Sequence, residues 1–117
     1  MFINTSSLII PTKDRLKKIQ IFLNSIDKEI PFFNEILIID SSQENIHNEI
    51  IKNLKKYKNV KIIKSKPSSS LQRNIGIEKC NKNNQFIMFC DDDIIFDKNS
   101  IKIMDKHIKE FPNYIGY

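Results

Sequence analysis

Glycine is almost missing from this chain: Gly76 and Gly116 are the only two among 117 residues. A phosphate-cradling loop after the first strand needs several, because glycine alone lets the backbone close round an anion without steric cost. That counts against a metal-dependent nucleotidyltransferase built on such a loop. Cysteine is as scarce. Cys80 and Cys90 form no C-x-x-C pair, no Cys/His spacing suits a metal, and both are expected as reduced, partly buried thiols. Arg15 and Arg73 are the only arginines, so the net charge of +5 comes from lysine. The lysines are scattered (Lys17, Lys28, Lys52, Lys106) and read as a solvated surface. Nucleic-acid binding favours clustered arginines with interleaved aromatics, so no nucleic-acid partner is expected. The surplus suits an anionic substrate or peripheral contact with an anionic membrane. No apolar run approaches the ~20 residues of a membrane span. Met1–Thr5 lacks the basic start and apolar stretch of a signal peptide. The expected location is the cytoplasm, including the inner face of the cell membrane.

What is present is a 40% apolar chain, enough for a core, of a length that suits one domain. Apolar runs alternate with helical spacing. Ser7–Pro11 reads as a strand stopped by its proline. Thr12 or Asp14 is expected to cap a helix carrying Leu16, Ile19, Leu23 and Ile26. Glu35–Asp40 is a continuous apolar run, as in a strand covered on both faces. A helix with Ile46, Ile50, Leu54 and Tyr57 on one side follows. Val60–Ile63 is a third strand, Pro67–Ser70 opens a helix through Leu71 and Ile75, and Phe86–Cys90 is a fourth strand. The last helix starts at Asn99 or Ser100 and carries Ile101, Met104, Ile108 and Phe111. His47 and His107 fall on polar faces and are expected to be structurally neutral. Strict alternation implies right-handed βαβ crossovers and an α/β, Rossmann-like parallel sheet of spatial order 3-2-1-4, with helices on both faces.

The chemistry concentrates in Asp91-Asp92-Asp93, directly after the fourth apolar run. Three adjacent anions beside a core lose hydration and repel one another. A hard divalent cation such as Mg²⁺ or Mn²⁺ reverses that cost. Extended-chain geometry would turn Asp91 and Asp93 to one side, about 7 Å apart, and Asp92 to the other. The bland alternative is a polar turn that caps the next helix. In parallel sheets ligands bind beyond the carboxyl ends of the strands. Thr12-Lys13-Asp14, Asp40-Ser41-Ser42 and the acidic triplet all fall on that rim.

Four segments, Leu8–Arg15, Ile36–Ser42, Leu71–Gly76 and Phe89–Asp93, together resemble the inverting family 2 glycosyltransferases of the GT-A fold. The resemblance implies transfer of a sugar from a nucleotide-diphospho-sugar, UDP-sugar favoured, to an acceptor, metal-assisted by Mn²⁺ or Mg²⁺. By position it implies that Thr12, and less directly Asp14 or Arg15, line the nucleotide pocket. It implies that Asp40 meets the base, that Arg73 faces the diphosphate, and that the triplet supplies the Asp-x-Asp (DXD) motif. Asp93 would then bind the metal, with Asp91 reaching the metal or its water and Asp91 and Asp92 near the ribose. Guanidinium suits phosphate, and carboxylate suits a base N–H or sugar hydroxyl. For each the plain alternative is a surface ion pair (Arg73), a helix cap (Asp40) or helix packing (Gly76).

The chain departs from the family at Ser41-Ser42, where a glycine is usual. It also ends at Tyr117, before the family's acceptor half. No motif supplies the carboxylate that deprotonates the acceptor. Residues 1–117 are therefore expected to be a single, apparently truncated nucleotide-sugar-binding domain, with an uncovered sheet edge prone to self-association. The competing readings are a non-catalytic nucleotide-binding module and a receiver-type signalling domain. The receiver is disfavoured because Thr12-Lys13 stands where its acidic pair should.

Overall fold

A computed structural model describes all 117 residues. Its four strands are β1 (Ser6–Thr12), β2 (Glu35–Asp40), β3 (Val60–Lys64) and β4 (Phe86–Phe89). They form one sheet of order β3-β2-β1-β4, and every pairing is parallel. Four helices alternate with them: α1 (Leu16–Ser25), α2 (Glu44–Leu54), α3 (Ser69–Lys79) and α4 (Ser100–Glu110). The expected order and parallel pairing are those observed. No helix is long and apolar enough to cross a membrane.

The two faces of the sheet are covered unequally. Leu8, Ile10, Ile36 and Ile38 point to the face covered by α1, α2 and α4, where they meet Ile19, Phe22, Leu23, Ile50, Leu54 and Ile101 in a core of 16 buried residues. Ile9, Leu37 and Ile39 point the other way, to a smaller cluster with Cys80 beneath α3. Each fully buried aliphatic side chain contributes about 1.5–3 kcal/mol, so the larger core dominates stability. The side switch follows from topology. The chain steps from β1 outward to β3 and then returns to the far side of β1. A right-handed crossover in that reversed direction puts α3 on the opposite face.

Three local expectations are corrected. Pro11 lies inside β1, paired with Ile39 in register, and does not end the strand. The Ile9 carbonyl accepts from Cys90 N. Pro11, two residues on, therefore turns its ring nitrogen to the β4 side, where β4 has already ended, and no ladder bond is lost. Neither Thr12 nor Asp14 caps α1. Arg15 is the N-cap residue and makes no side-chain cap bond, because both predicted caps are bonded elsewhere. In α3 the inward positions are Gln72 and Gly76, while Leu71 is exposed.

Candidate nucleotide cleft

A cleft of about 370 Å³ lies at the carboxyl ends of β1 and β4, the neighbouring strands between which the direction of the crossovers reverses. It is lined by Pro11, Thr12, Lys13 and Arg15 from the β1 end, Ser69, Gln72 and Arg73 from α3, and Asp91, Asp92 and Asp93 after β4. Three cations (Lys13, Arg15, Arg73) thus face three anions, and both arginines of the protein are here.

The three carboxylates are already paired with the two arginines. Asp92 is buried and accepts from Thr12 Oγ1 at 2.8 Å and from Arg15 Nη1 at 3.1 Å. Arg15 also stands 3.8 Å from Asp93 Oδ2. Arg73 Nη2 donates to Asp91 Oδ1 at 2.9 Å. The triplet sits in a turn beyond β4, and Asp92 alone turns inward. Asp91 and Asp93 face solvent, each toward a different arginine. No three His, Cys, Asp or Glu side chains converge as ready-made metal ligands.

Gln72 is part of this site, although its sequence segment suggested no role for it. Its Nε2 donates to the carbonyls of Ile39 (2.7 Å) and Thr12 (2.9 Å), tying α3 to the ends of β1 and β2. The signal was its position four residues before Gly76, on the same face of the helix. A Cβ on Gly76 would lie 2.4 Å from Ile9 Cγ2, so glycine is what lets α3 lie this close to β1. Helix packing is the role of this residue.

Asp40 does not line the cleft. It is completely buried, and its carboxylate is taken up by Ser42 N (3.0 Å), Ser42 Oγ (2.5 Å) and His47 Nδ1 (2.6 Å). His47 is therefore not a neutral surface residue: it is buried and bonded to the end of β2. The helix spacing of His47, Ile50 and Leu54 carried the burial, though not the partner, since all three lie on the inward stripe. His107 remains peripheral, beside the Phe111 and Tyr117 rings. Asp14 lies at the β1–α1 corner with a left-handed φ of 53°. Its amide donates to Ser42 Oγ at 2.7 Å, and its Oδ1 accepts from Gln43 N at 3.1 Å. Of the residues singled out from sequence, Thr12, Arg73 and the triplet meet in one place, with Arg15. Asp14 and Asp40 stand behind them.

Cys90, next to the triplet, is buried and unpaired, as is Cys80. Burial, and then the neighbouring Asp91 charge, push its thiol up to about 12. At the opposite end of the sheet Glu35 is held below the usual carboxylate range. Burial opposes this, but hydrogen bonds from Ser7 Oγ and Asn81 N and the Lys61 ammonium outweigh it.

The family model described as Glycosyl transferase family 2 matches residues 7–116. No curated protein matches the chain. Among solved structures, the 1–349 form of S. aureus TarS is 24% identical with a TM-score of 0.71, over 90% of this chain and 32% of that one. The same protein in complex with UDP-GlcNAc gives 24% and 0.70 over 90% and 31%. In complex with UDP it gives 23% and 0.68 over 90% and 32%. At these identities the likeness is one of fold, and the chain spans about a third of the length of these three structures. With residues 7–116 matched end to end and a GT-A fold around the cleft, the chain belongs to glycosyl transferase family 2.

Proposed function

We propose that the cleft binds the nucleoside-diphosphate part of a nucleotide-diphospho-sugar, a UDP-sugar by preference, for inverting, metal-assisted transfer of the sugar to an acceptor. The observation that carries this reading is the meeting of both guanidiniums of the chain with Thr12 and the acidic triplet at one switch point. The TarS structures with UDP and UDP-GlcNAc support the choice of ligand.

Arg73 and Arg15 are the groups that would take the diphosphate. Their side chains are 36% and 52% exposed. The Arg73 bond to the exposed Asp91 can be exchanged for a bond to phosphate at little cost, whereas Arg15 offers phosphate the donors that its bond to the buried Asp92 leaves free. Thr12 and Asp92 are buried and already bonded, and they hold the cleft wall in place. Gln72 fixes the carbonyl of Thr12, so that the wall does not shift when a ligand arrives. Asp14 and Asp40 act from behind the wall, and no direct contact of Asp40 with a base is proposed.

The donor set fits a divalent ion of the Mg²⁺ or Mn²⁺ type. Such ions keep several waters and need only one or two carboxylates plus substrate phosphates. Asp93, with Asp91, would hold it, and when bound it would neutralise the charge growing on the departing diphosphate. The two carboxylates are hard oxygen donors on the solvent side of the cleft, where a hydrated ion has access.

A second reading, nucleotide binding without turnover, draws on the pairing inside the cleft. Each of its three carboxylates has a guanidinium partner, so none stands free as a general base for an acceptor hydroxyl. A thermal-shift titration with UDP, with and without Mn²⁺, tests the shared step. Ligand at 100 times Kd should stabilise the fold by about 2.7 kcal/mol, and no shift at millimolar UDP would refute both readings. Multiple-turnover sugar transfer to an added acceptor by this chain would refute the second alone.

A further inference from the structure

Asp14, at the corner between β1 and α1, has a left-handed backbone, which aspartate tolerates better than most side chains but still at a cost relative to glycine. It lies between Thr12 and Arg15, both of which bond Asp92 in the cleft. What holds this corner is a chain of hydrogen bonds that starts on a different helix. His47 Nδ1 lies 2.6 Å from Asp40 Oδ2. An ionised carboxylate can only accept, so the ring nitrogen donates. Asp40 Oδ1 accepts from Ser42 Oγ at 2.5 Å, which directs that hydroxyl proton inward. A Ser42 lone pair is then left for the Asp14 amide at 2.7 Å. Asp14 Oδ1 closes the circuit on Gln43 N at 3.1 Å, directly before α2.

Each link fixes the next. Rotation of the Asp40 carboxylate would free the Ser42 hydroxyl, and a free hydroxyl would no longer present its lone pair to Asp14. We propose that His47 is a positioning residue of the cleft: by locking Asp40, and through it Ser42 and Asp14, it sets the corner from which Thr12 and Arg15 reach Asp92. This rests on the reading of the cleft as the nucleotide site. The His47 side chain bonds Asp40 and no residue that lines the cleft. It acts on ligand affinity from α2, through one buried carboxylate and one serine.

The test separates positioning from simple stabilisation. Amide hydrogen exchange is measured on the 117-residue protein as wild type, His47→Leu and His47→Asn, with UDP titrated into each by calorimetry. The asparagine amide places a donor where Nδ1 stands. In His47→Leu the Asp14 and Ser42 amides should exchange at least tenfold faster, relative to the Ile9 and Ile38 amides of the sheet. UDP should bind several-fold more weakly, and His47→Asn should restore both. If Asp14 exchange rises only in step with Ile9 and Ile38, His47 merely stabilises the fold and the proposal is overturned. Faster Asp14 exchange with unchanged UDP affinity overturns the link to the cleft. Should His47→Leu not fold, His47→Gln, whose donor sits at the Nε2 position, carries the same comparison. If the wild type binds no UDP, the nucleotide reading itself fails, and the exchange pattern alone decides whether His47 holds the corner.

Discussion

Gly76 on α3 faces Ile9 on β1 so closely that a single added methyl group would lie 2.4 Å from Ile9 Cγ2. Ile9 is fully buried between β2 and β4 and cannot swing aside. Gly76→Ala should therefore destabilise the protein by about 1–3 kcal/mol through overpacking, despite the better helix propensity of alanine. Urea denaturation measures this, and a stabilised variant would show that α3 is free to lift from the sheet.

The Arg73–Asp91 pair is largely solvent-exposed and should contribute less than about 1 kcal/mol to stability. Arg73→Ala is expected to leave the melting temperature almost unchanged while weakening UDP binding about tenfold or more. Arg73→Lys should recover only part of the loss, because an ammonium lacks the planar fork. Equal affinity in all three proteins would remove Arg73 from the site.

Asp92 and Asp93 are neighbours with opposite expectations. Asp92 is buried and bonded to both Thr12 and Arg15, so Asp92→Ala should cost about 1–3 kcal/mol by leaving the buried Thr12 Oγ1 unpartnered. Asp93 is exposed and only 3.8 Å from Arg15. Asp93→Ala should leave the fold intact but abolish any effect of Mn²⁺ on UDP affinity. Calorimetry with and without Mn²⁺ reads this, and an unchanged Mn²⁺ effect would take the metal away from Asp93.

Glu35 makes stability depend on acid. Its carboxyl is held below the ordinary 4.5 in the folded protein, so the stabilisation is full above that value and is lost as pH falls through it and below. Glu35→Gln should be less stable than wild type at pH 7, and the gap should narrow on acidification. Parallel unfolding curves for the two proteins from pH 7 to pH 3 would contradict this assignment.

Cys90 should resist alkylation at pH 8. Its thiol is raised from 9.0 to about 12, so the thiolate is a minute fraction and buried as well. Labelling by iodoacetamide in native buffer should be far slower than in urea, and rapid native labelling would mean that the segment after β4 opens readily.

The two central strands were legible because runs as apolar as Leu8–Ile10 and Ile36–Ile39 have few alternatives to burial, while the half-exposed edge strands β3 and β4 were read from their alternation with helices. The contents of the cleft were partly legible: Thr12, Arg73 and Asp91–Asp93 sit at strand ends or helix starts, where side-chain direction follows from topology. Asp40 misled because a strand-end aspartate looks the same in sequence whether it turns to solvent or back to its own helix. His47 decides that question, and a histidine seven residues away carries no sign of which way its ring will point. Pro11 misled for a related reason. A proline reads as a strand end unless one knows that the neighbouring strand stops first.

The hydrogen bond from Thr12 to Asp92 joins residues 80 apart in the chain, and β4 pairs with the strand that begins at Ser6. Loop closure over that distance must precede its reward, so this pairing should form late during folding. A chain that had assembled β1, α1, β2, α2 and β3 would hold much of the larger core and still have no cleft. Nucleotide binding should thus appear only in the last phase of refolding, and a pulse of UDP during refolding would time the docking of β4.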